Sequence, residues 1–450
     1  MSNLFGTDGI RGPIGIYPFT SDGIRILGKA LGTWCKEKYG VNAQILVGHD
    51  TRESCIWIKD ALVLELLKYP ISIYDAGVLP TPAVSYVVSS STSFNCGIII
   101  SASHNIYSDN GLKIHDALTG KLTLADELRI SALITYFSTF SNTSSHDPSA
   151  IISNTISGTV HKYPEASKLY VDMLLNSFAS LLLINKKIVL DLAHGATYLI
   201  APEIFKALGA TTIVLNNNPT GTNINENCGA LHLEGLREAV LDTQADIGFA
   251  FDGDGDRIMV VTRNGLIKDG DDIVALLSSH SAYAHLDTVV GTVMTNQALE
   301  VFLDGHNKKL IRTAVGDKYI TQALVAHNLL LGGEPSGHII LRDKNITGDG
   351  ILVALRICEL LQSTGNWDLV TFEKYPQVIR NIKVNTRKSL EEEPLVSLIE
   401  ASKKQLVNGR LLVRYSGTEP LLRIMVEEQD KKQAATIASQ LADALSAALS

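Results

Sequence analysis

The sequence contains few cysteines, and no pair of them has metal-ligand or redox spacing. Five occur among 450 residues, none in a C-x-x-C pair: Cys35, Cys55, Cys96, Cys228 and Cys358. This pattern argues against a disulfide framework or a zinc site and indicates a reducing compartment. Apolar runs long enough to span a bilayer are lacking, and MSNLFGTDGIRG at the start has no basic region leading into an apolar core. We therefore expect a cytoplasmic protein that contacts no membrane.

The sequence also contains fewer basic than acidic residues. Lys and Arg number 39 against 47 Asp and Glu, so the formal net charge is −8. This balance argues against nucleic acid as a partner, because duplex binding requires a basic face. If the substrate is a small anion, positive charge has to be concentrated locally.

The length and the alternation of strand and helix patterns indicate several α/β domains. A chain of 450 residues is too long for one core, so three or four domains are expected. AQILVG at 43–48 predicts a strand, and the next segment, in which Ile58, Leu62 and Leu66 have helical spacing, predicts a helix that ends before Pro70. Such alternation favours parallel pairing with right-handed crossovers.

An apolar run that ends in a polar, glycine-rich loop occurs three times, as CGIIISASHN (96–105), ADIGFAFDGDGDR (245–257) and NLLLGGEPSGH (328–338). Any α/β chain shows some alternation of this kind, but the chemistry of these loops is distinctive, and open α/β sheets bind ligands at such strand ends. We predict three related α/β domains with mixed sheets. A smaller α+β domain follows and closes with an amphipathic helix marked by Ile437, Leu441, Leu445 and Leu449.

Two polar stretches help to place the domain boundaries. The Ser/Thr/Asn-rich segment 138–158 is typical of a surface connection, and STGNWD at 363–368 indicates a second break. The predicted domains are 1–157, 158–255, 256–368 and 369–450.

The loop DGDGDR predicts a site for a divalent metal ion. Asp252, Asp254 and Asp256 alternate with glycines that let the backbone bend, so all three carboxylates can converge. Converging carboxylates require a cation, and oxygen ligands favour Mg²⁺ or Ca²⁺. An EF-hand is rejected, because Arg257 and Arg263 stand where it needs Gly and Glu. A solvated acidic turn is disfavoured, because the apolar run IGFAF leads directly into the loop.

Ser103, in SASHN, is predicted to meet this metal loop. A phosphoryl group on Ser103 would carry roughly −1.5 to −2 charges. A divalent ion could neutralise that charge and polarise the ester for transfer. A capping role for the serine is the plain alternative, and Lys113 together with the aspartate loop weighs against it.

Three further loops carry candidate binding residues. RYSGTEP offers amides, hydroxyls and two flanking arginines suited to phosphate, or else it is a hairpin turn with solvated arginines. In GGEPSGH, Glu334 and Ser336 suit vicinal sugar hydroxyls and His338 suits acid/base work, although an ordinary loop is an equal alternative. FGTDGIRG contributes Arg11 or merely ties down the terminus.

Together, SASHN followed by DNGLK, then DGDGDR, GGEPSGH and RYSGTEP resemble the α-D-phosphohexomutase superfamily along essentially the whole chain. FGTDGIRG, NINENCG (223–229) and DKNITGDGI (343–351) are most similar to its bacterial phosphoglucosamine mutases. The resemblance implies a heart-shaped, four-domain molecule around a central cleft. It also implies an isomerase that interconverts glucosamine 6-phosphate and glucosamine 1-phosphate, toward UDP-N-acetylglucosamine and the cell envelope.

The resemblance also implies roles for individual residues. Ser103 would be the phosphoserine and, with Asp252, Asp254 and Asp256, would bind one Mg²⁺, while a sugar 1,6-bisphosphate is a possible primer. The predicted catalytic residues are Ser103, His104, Lys113, His338 and Arg11. The predicted substrate-binding residues are Arg257, Glu334, Ser336, Arg414, Ser416, Gly417, Thr418 and Arg423.

Two positions depart from the family pattern. Ile106 replaces the proline that usually follows S-H-N, and Ala230 and Leu231 replace Ser-Thr. The alternatives left open are a phosphomannomutase/phosphoglucomutase, a metal-dependent sugar phosphatase and an inactive phosphosugar-binding protein. The sequence also leaves open whether the chain is a monomer or a homodimer.

Overall fold

The computed structural model describes residues 4–140, 156–384, 386–416 and 420–449. Within these residues the strands form four sheets, in chain order. The predicted connection at 138–158 falls largely outside the described residues. Among the helices that are described, none combines the length and the apolar character needed to cross a membrane.

The first sheet mixes parallel and antiparallel pairs, as predicted. Its strand order is β1-β5-β4-β2-β3-β7, with β6 on β5; β2 is parallel to β3 and β4, and β5 is antiparallel to β4. The predicted strand and helix after residue 43 are confirmed. The elements are β1 (Ile10–Pro13), α1 (Ser21–Tyr39), β2 (Ala43–His49), α2 (Ser54–Leu66), β3 (Ile71–Val78), α3 (Thr81–Ser90), β4 (Cys96–Ile100), β5 (Asp109–Asp116), β6 (Gly120–Lys121), α4 (Leu124–Phe140) and β7 (Thr159–Lys162).

The second sheet has the order β12-β11-β10-β8-β9 and places the aspartate loop between two of its strands. Parallel strands are central and an antiparallel hairpin lies at one edge. Its elements are α5 (Glu165–Ser177), β8 (Lys187–Asp191), α6 (Ile200–Ala207), β9 (Thr211–Leu215), a 3₁₀ turn (Gly229–Leu231), α7 (Glu234–Thr243), β10 (Ile247–Phe251), β11 (Ile258–Thr262) and β12 (Ile267–Lys268).

The third sheet has the order β14-β13-β15-β16, and its last two strands form an antiparallel hairpin. The predicted break near residue 363 coincides with the end of its last helix, where Gly365 takes a left-handed φ of 68°. Its elements are α8 (Gly270–Ser278), β13 (Thr288–Thr292), α9 (Gln297–Asp304), β14 (Lys309–Thr313), α10 (Asp317–Ala326), β15 (Leu331–Gly333), β16 (Ile339–Leu341) and α11 (Gly350–Thr364).

The C-terminal domain is the smaller α+β unit that the sequence predicts. Its antiparallel sheet has the order β17-β19-β18, and the last helix buries Ile437, Leu441 and Leu445. Its elements are β17 (Gln377–Lys383), α12 (Leu395–Lys403), β18 (Arg410–Tyr415), β19 (Leu421–Glu427) and α13 (Lys431–Leu449).

The pairing of strands in the sheets disagrees with two of the predicted domain boundaries. The boundary between residues 255 and 256 would separate β10 from β11, which pair along their whole length, so the second sheet continues to Lys268. The boundary between 157 and 158 would remove β7 from the first sheet, where it pairs with β3. In both cases a strand after the predicted boundary is hydrogen-bonded to a strand before it, so the sheet continues past the boundary.

One hydrophobic cluster spans the first three domains, the first domain has a second cluster of its own, and the fourth domain has a separate one. One continuous cluster of buried side chains includes Val87 on α3, Tyr170 on α5 and Leu352 on α11. The fourth domain buries a separate cluster that includes Leu422 and Leu441. Because apolar burial is the main source of stability, the first three domains are expected to behave as one body.

Polar contacts join the third and fourth domains. Glu427 at the end of β19 accepts a hydrogen bond from the Gln297 N–H at 3.0 Å, and Arg410 at the start of β18 donates to the Val293 and Thr295 carbonyls at 2.7 and 3.0 Å. A joint of this kind separates more readily than a packed core, because water can replace its hydrogen bonds.

Asp271, close to this joint, gives a stability prediction. Burial and the nearby Asp269 carboxylate raise the pKa of Asp271 to about 7, and Asp271 accepts from the Asn296 N–H at 2.8 Å. Between its ordinary pKa and about 7 the folded state holds a proton that the unfolded state releases, so stability falls as pH rises through this window. Asp271→Asn keeps the acceptor and has no such titration.

We expect Asp271→Asn to stabilise the protein at pH 8 by roughly 1–3 kcal/mol, with the gain shrinking toward pH 4. Thermal and urea unfolding of both proteins at several pH values measure this difference. A gain of the same size at every pH would contradict the predicted titration.

Candidate active site

The serine loop runs from the end of β4 to the start of β5 and is held deep in the molecule. Ser103 is fully buried and takes a left-handed φ of 54°. Its Oγ lies 2.5 Å from Asp252 Oδ2 and 3.3 Å from Nδ1 of His104. The structure thus brings together Ser103 of the first domain and the aspartate loop of the second, as the sequence predicts.

The aspartate loop follows β10 and concentrates oxygen atoms in a buried space. Asp252, Asp254 and Asp256 each offer a carboxylate oxygen, and these oxygens all lie within 4.8 Å of one another. Oδ1 of Asp254 and Oδ1 of Asp256 are buried and have no hydrogen-bond partner among the residues that the structure describes. Orphaned buried carboxylate oxygens are costly, and a hard divalent cation would satisfy them. The residues present therefore fit a Mg²⁺ site.

Mutual repulsion shapes the ionisation of these carboxylates. Burial and the adjacent Asp256 and Asp254 charges raise the pKa of Asp252 well above its usual range. Burial acts in the same direction on Asp256, yet the Lys113 ammonium holds the pKa of that carboxyl well below its usual range. The loop therefore binds a cation already, in the form of a lysine side chain.

The two glycines of the loop serve different purposes. Gly255 has a φ of 73°, which fits the predicted tight bend. Gly253 instead permits close approach, because a Cβ there would lie 2.6 Å from the Ser103 carbonyl oxygen. Sequence reasoning predicted the bend and missed the contact between the two loops.

Lys113 on β5 is the principal cation of the site. Its Nζ lies 2.7 Å from Asp254 Oδ2, 2.8 Å from Asp256 Oδ2 and 2.6 Å from Asp8 Oδ2. Burial opposes its charge, but the three carboxylates dominate and raise the pKa of Lys113 well above its usual range. Lys113 therefore keeps its proton. Asp8, which sequence reasoning did not select, also binds Lys121 at 2.6 Å.

Two arginines add positive charge beside the serine. Arg11 on β1 donates to Asp8 Oδ2 at 2.7 Å. Within the described part of the chain, the buried Nε atoms of Arg11 and Arg257 find no hydrogen-bond partner. Burial, with the Arg257 and Arg11 charges, lowers the pKa of His104 to about 4. This is the local positive field that an acidic protein needs in order to bind an anion.

The GGEPSGH loop joins β15 to β16 and lies against the aspartate loop. His338 forms an isolated bridge with Arg257, its Nδ1 lies 3.7 Å from Asp256 Oδ1, and its Nε2 accepts from the Gly348 N–H at 3.2 Å. Burial opposes protonation of His338, but Asp256 raises its pKa. Ser336 Oγ donates to Glu334 Oε1 at 2.9 Å, so these two side chains form one polar pair.

The strands on either side of the loop in RYSGTEP, β18 and β19, pair antiparallel. Arg414 on β18 and Arg423 on β19 are direct partners in the register. Side chains of directly opposed residues share a face, and like charges there are unfavourable unless an anion lies between them. Ser416 donates its N–H to the Leu421 carbonyl at 2.8 Å, and its own carbonyl accepts from Arg387 at 2.6 Å. Gly417 and Thr418 lie outside the described residues.

Sequence reasoning also missed two residues that hold the serine loop. Arg52, just after β2, and Asn225, in NINENCG, both donate to the Ser103 carbonyl. A signal for Arg52 was present, since it follows the carboxyl end of a central strand, where sites form. Asn225 lies in the quoted motif NINENCG, but the motif did not indicate its partner, which lies 122 residues away.

Comparison with known proteins gives matches along the whole chain. Profiles of the phosphoglucomutase/phosphomannomutase family match its domain I at residues 2–138, domain II at 168–265, domain III at 269–375 and the C-terminal domain at 379–444. The phosphoglucosamine mutase of Neisseria subflava is 38% identical over 98% of both chains. That of Marinomonas sp. (strain MWYL1) is 40% identical over 96% of this chain and 94% of the relative.

Solved structures agree on the fold. A phosphoglucomutase/phosphomannomutase family protein from Burkholderia thailandensis superimposes with a TM-score of 0.79 at 23% identity, covering 98% of this chain and 97% of that one. The Aspergillus fumigatus N-acetylphosphoglucosamine mutase, solved with GlcNAc-6P and magnesium, superimposes with a TM-score of 0.66 at 17% identity. The superposition covers 99% of this chain and 96% of that one. With four matching domains and full-length relatives, the chain belongs to the phosphoglucomutase/phosphomannomutase family, in the group of the phosphoglucosamine mutases.

Proposed function

We propose that this protein interconverts glucosamine 6-phosphate and glucosamine 1-phosphate through a phosphoryl group carried on Ser103. The observation that carries the proposal is the 2.5 Å contact between Ser103 Oγ and Asp252, which joins a buried hydroxyl to a cluster of carboxylates suited to a metal ion. The names and full-length similarity of the relatives support glucosamine phosphate as the substrate. The product is a precursor of UDP-N-acetylglucosamine, and the proposed site of action is the cytoplasm.

The reaction consists of two phosphoryl transfers in opposite directions. In the first, the bond from phosphorus to Ser103 Oγ breaks and a bond to the free sugar hydroxyl forms, which gives a sugar bisphosphate. In the second, the other phosphate of that sugar returns to Ser103 Oγ. A sugar 1,6-bisphosphate could also prime an unphosphorylated Ser103. The intermediate has to turn over between the two steps, so each sugar phosphate occupies each end of the site once.

The residues around Ser103 would stabilise charge during transfer. A Mg²⁺ ion held by Asp252, Asp254, Asp256 and the Ser103 phosphate would neutralise the transferring group and polarise the ester. Lys113 remains protonated and adds a fixed cation, and Arg11 lies close enough to depress the pKa of His104. His338 would chiefly stabilise the negative charge of Asp256 through its Nδ1, because its Nε2 already accepts a hydrogen bond from the Gly348 N–H.

The remaining sites would hold the rest of the sugar phosphate. Glu334 and Ser336 would bind sugar hydroxyls in either orientation of the intermediate. Arg414 and Arg423, with Ser416, Gly417 and Thr418, would hold the phosphate that is not being transferred. The fourth domain, which polar contacts join to the third, would close over the substrate and exclude water, which would otherwise hydrolyse the phosphoserine.

A side-by-side assay tests this proposal. Purified protein with Mg²⁺ and a trace of glucose 1,6-bisphosphate should convert glucosamine 6-phosphate with a higher kcat/KM than glucose 6-phosphate or mannose 6-phosphate. Intact-mass analysis should show one phosphate, mapped to Ser103. A preference for the mannose or glucose phosphates would favour the phosphomannomutase/phosphoglucomutase alternative. Stoichiometric release of free phosphate would favour a phosphatase.

A further inference from the structure

Arg52 is a buried cation directed at the backbone of the serine loop. Its Nε donates to Asp50 Oδ2 at 2.9 Å, and its side chain is fully buried. Asp50 in turn accepts from Ser101 Oγ at 2.6 Å, at the start of the serine loop. The charge of Arg52 is therefore neutralised by Asp50, and its remaining N–H groups are available to other acceptors.

Those N–H groups bind four carbonyl oxygens of a single loop. Nη2 of Arg52 donates to the Ser103 carbonyl at 3.0 Å and to the Asn105 carbonyl at 2.8 Å. Nη1 donates to the Asp109 carbonyl at 3.1 Å and also to that of Ile106. A guanidinium suits this task because its donors form a rigid planar fork.

Asn225 binds the same loop from the second domain. Its Nδ2 donates to the Ser103 and Asn105 carbonyls, both at 2.9 Å. Its backbone is anchored by a 2.9 Å hydrogen bond from its N–H to the Ala193 carbonyl, and it takes a left-handed φ of 58°. The Ser103 carbonyl thus accepts from one side chain of each domain and packs against Gly253 of the aspartate loop.

The serine loop needs such restraint for two reasons. Ser103 is held at a positive φ that costs a residue with a side chain on the order of 1 kcal/mol or more. Ile106 does not restrict its own φ as a proline would, and Ile106 and Tyr107 are exposed at the tip of the loop. Without external hydrogen bonds, the loop would relax and move Ser103 Oγ away from Asp252.

We propose that Arg52 and Asn225 are positioning residues that together clamp the serine loop and fix Ser103 Oγ against the aspartate loop across the interface of the first two domains. The proposal rests on the proposed function for its kinetic consequence. Phosphoryl transfer requires close alignment, and a misplacement of about 1 Å can cost on the order of 10²-fold in rate.

Two variants, Asn225→Gly and Arg52→Lys, test the clamp, and each keeps one local property of the residue that it replaces. Asn225→Gly removes the amide and suits the left-handed backbone, and Asn227→Gly is its control, because Asn227 lies in the same loop, is exposed and has a φ of 53°. Arg52→Lys keeps the charge opposite Asp50 but loses the fork of donors.

We expect Asn225→Gly and Arg52→Lys to lower kcat by about 10- to 100-fold with KM changed less than about threefold. Free phosphate released per transfer should rise several-fold, because a displaced phosphoserine is exposed to water. Asn227→Gly should match the wild type in all three measurements. A kcat within twofold of wild type for both Asn225→Gly and Arg52→Lys, or a lower melting temperature without a change in kcat or phosphate release, would overturn the proposal.

Hydrogen exchange of peptides from residues 101–108 provides a readout that does not depend on catalysis. Asn225→Gly should exchange faster there than the wild type and Asn227→Gly, and unchanged exchange would refute the clamp. If the wild type fails to turn over any hexose or hexosamine phosphate, the proposed function fails while this measurement still decides the clamp.

Discussion

Ser103→Ala is expected to lower the rate of sugar phosphate interconversion by about 10⁴- to 10⁶-fold, the range that loss of an enzyme nucleophile typically gives. The physical reason is that Ser103 Oγ is the hydroxyl that carries the phosphoryl group between the two transfers. Ser103 is buried and its Oγ lies 2.5 Å from Asp252 Oδ2, so the variant loses the hydroxyl that stands beside the carboxylate cluster. Coupled measurement of glucosamine 1-phosphate formation gives the rate, and intact-mass analysis should show that the phosphate on the protein is lost.

Ser108→Ala is the matched control for this variant. Ser108 lies in the same loop, and its side chain is exposed. We expect its activity and phosphate content to equal those of the wild type. Because Ser103→Ala retains a positive φ at that position, its circular dichroism and melting temperature have to be compared with those of the control. Residual interconversion within tenfold of wild type by a folded Ser103→Ala protein would refute the phosphoserine mechanism.

Asp254→Asn is expected to lower kcat on the order of 10³-fold, because the loss of several kcal/mol of metal-ion stabilisation corresponds to a factor of that size. Asp254 Oδ2 accepts from Thr81 and Lys113, and its buried Oδ1 accepts no hydrogen bond from the described residues. The carboxamide can still accept these hydrogen bonds but cannot supply the negative charge that binds a divalent cation. Activity as a function of Mg²⁺ concentration should show a much higher half-saturating concentration.

Asp242→Asn serves as the control for this change, since Asp242 is an exposed aspartate of the same domain. Its activity and Mg²⁺ dependence should be those of the wild type. Treatment of the wild type with a chelator should abolish turnover, and added Mg²⁺ should restore it. An Asp254→Asn protein with normal activity and normal Mg²⁺ dependence would show that the ion is bound elsewhere.

Local sequence was sufficient to predict the parts of the site that are contained in one short segment. The aspartates alternate with glycine within a single turn, so their convergence follows from chain geometry. Lys113 was also selected from sequence, as part of the motif DNGLK that follows Ser103, and in the structure β5 carries it back antiparallel to β4. The small C-terminal domain was recognisable because its last helix has regular apolar spacing.

Residues whose partners are distant in sequence escaped prediction. Asp8 binds Lys113, and Arg52 and Asn225 reach Ser103 over 51 and 122 residues. The register that places Arg414 opposite Arg423 depends on how β18 and β19 pair, which the residue types alone do not specify. The boundary at residue 255 was misplaced for a related reason, since β10 and β11 lie on either side of it and pair with each other.

The sequence by itself determined the class of the fold, the order of its loops and the chemistry that each loop offers, because periodicity, glycine placement and side-chain type are local properties. Beyond the predicted meeting of Ser103 with the aspartate loop, only the tertiary structure decided which of those side chains meet. The contacts of Lys113 with three carboxylates and the hydrogen bonds of Arg52 and Asn225 to one loop arise from the packing of segments that are distant in the sequence. Packing of this kind is set by the burial of apolar surface over the whole molecule, and no short segment encodes it.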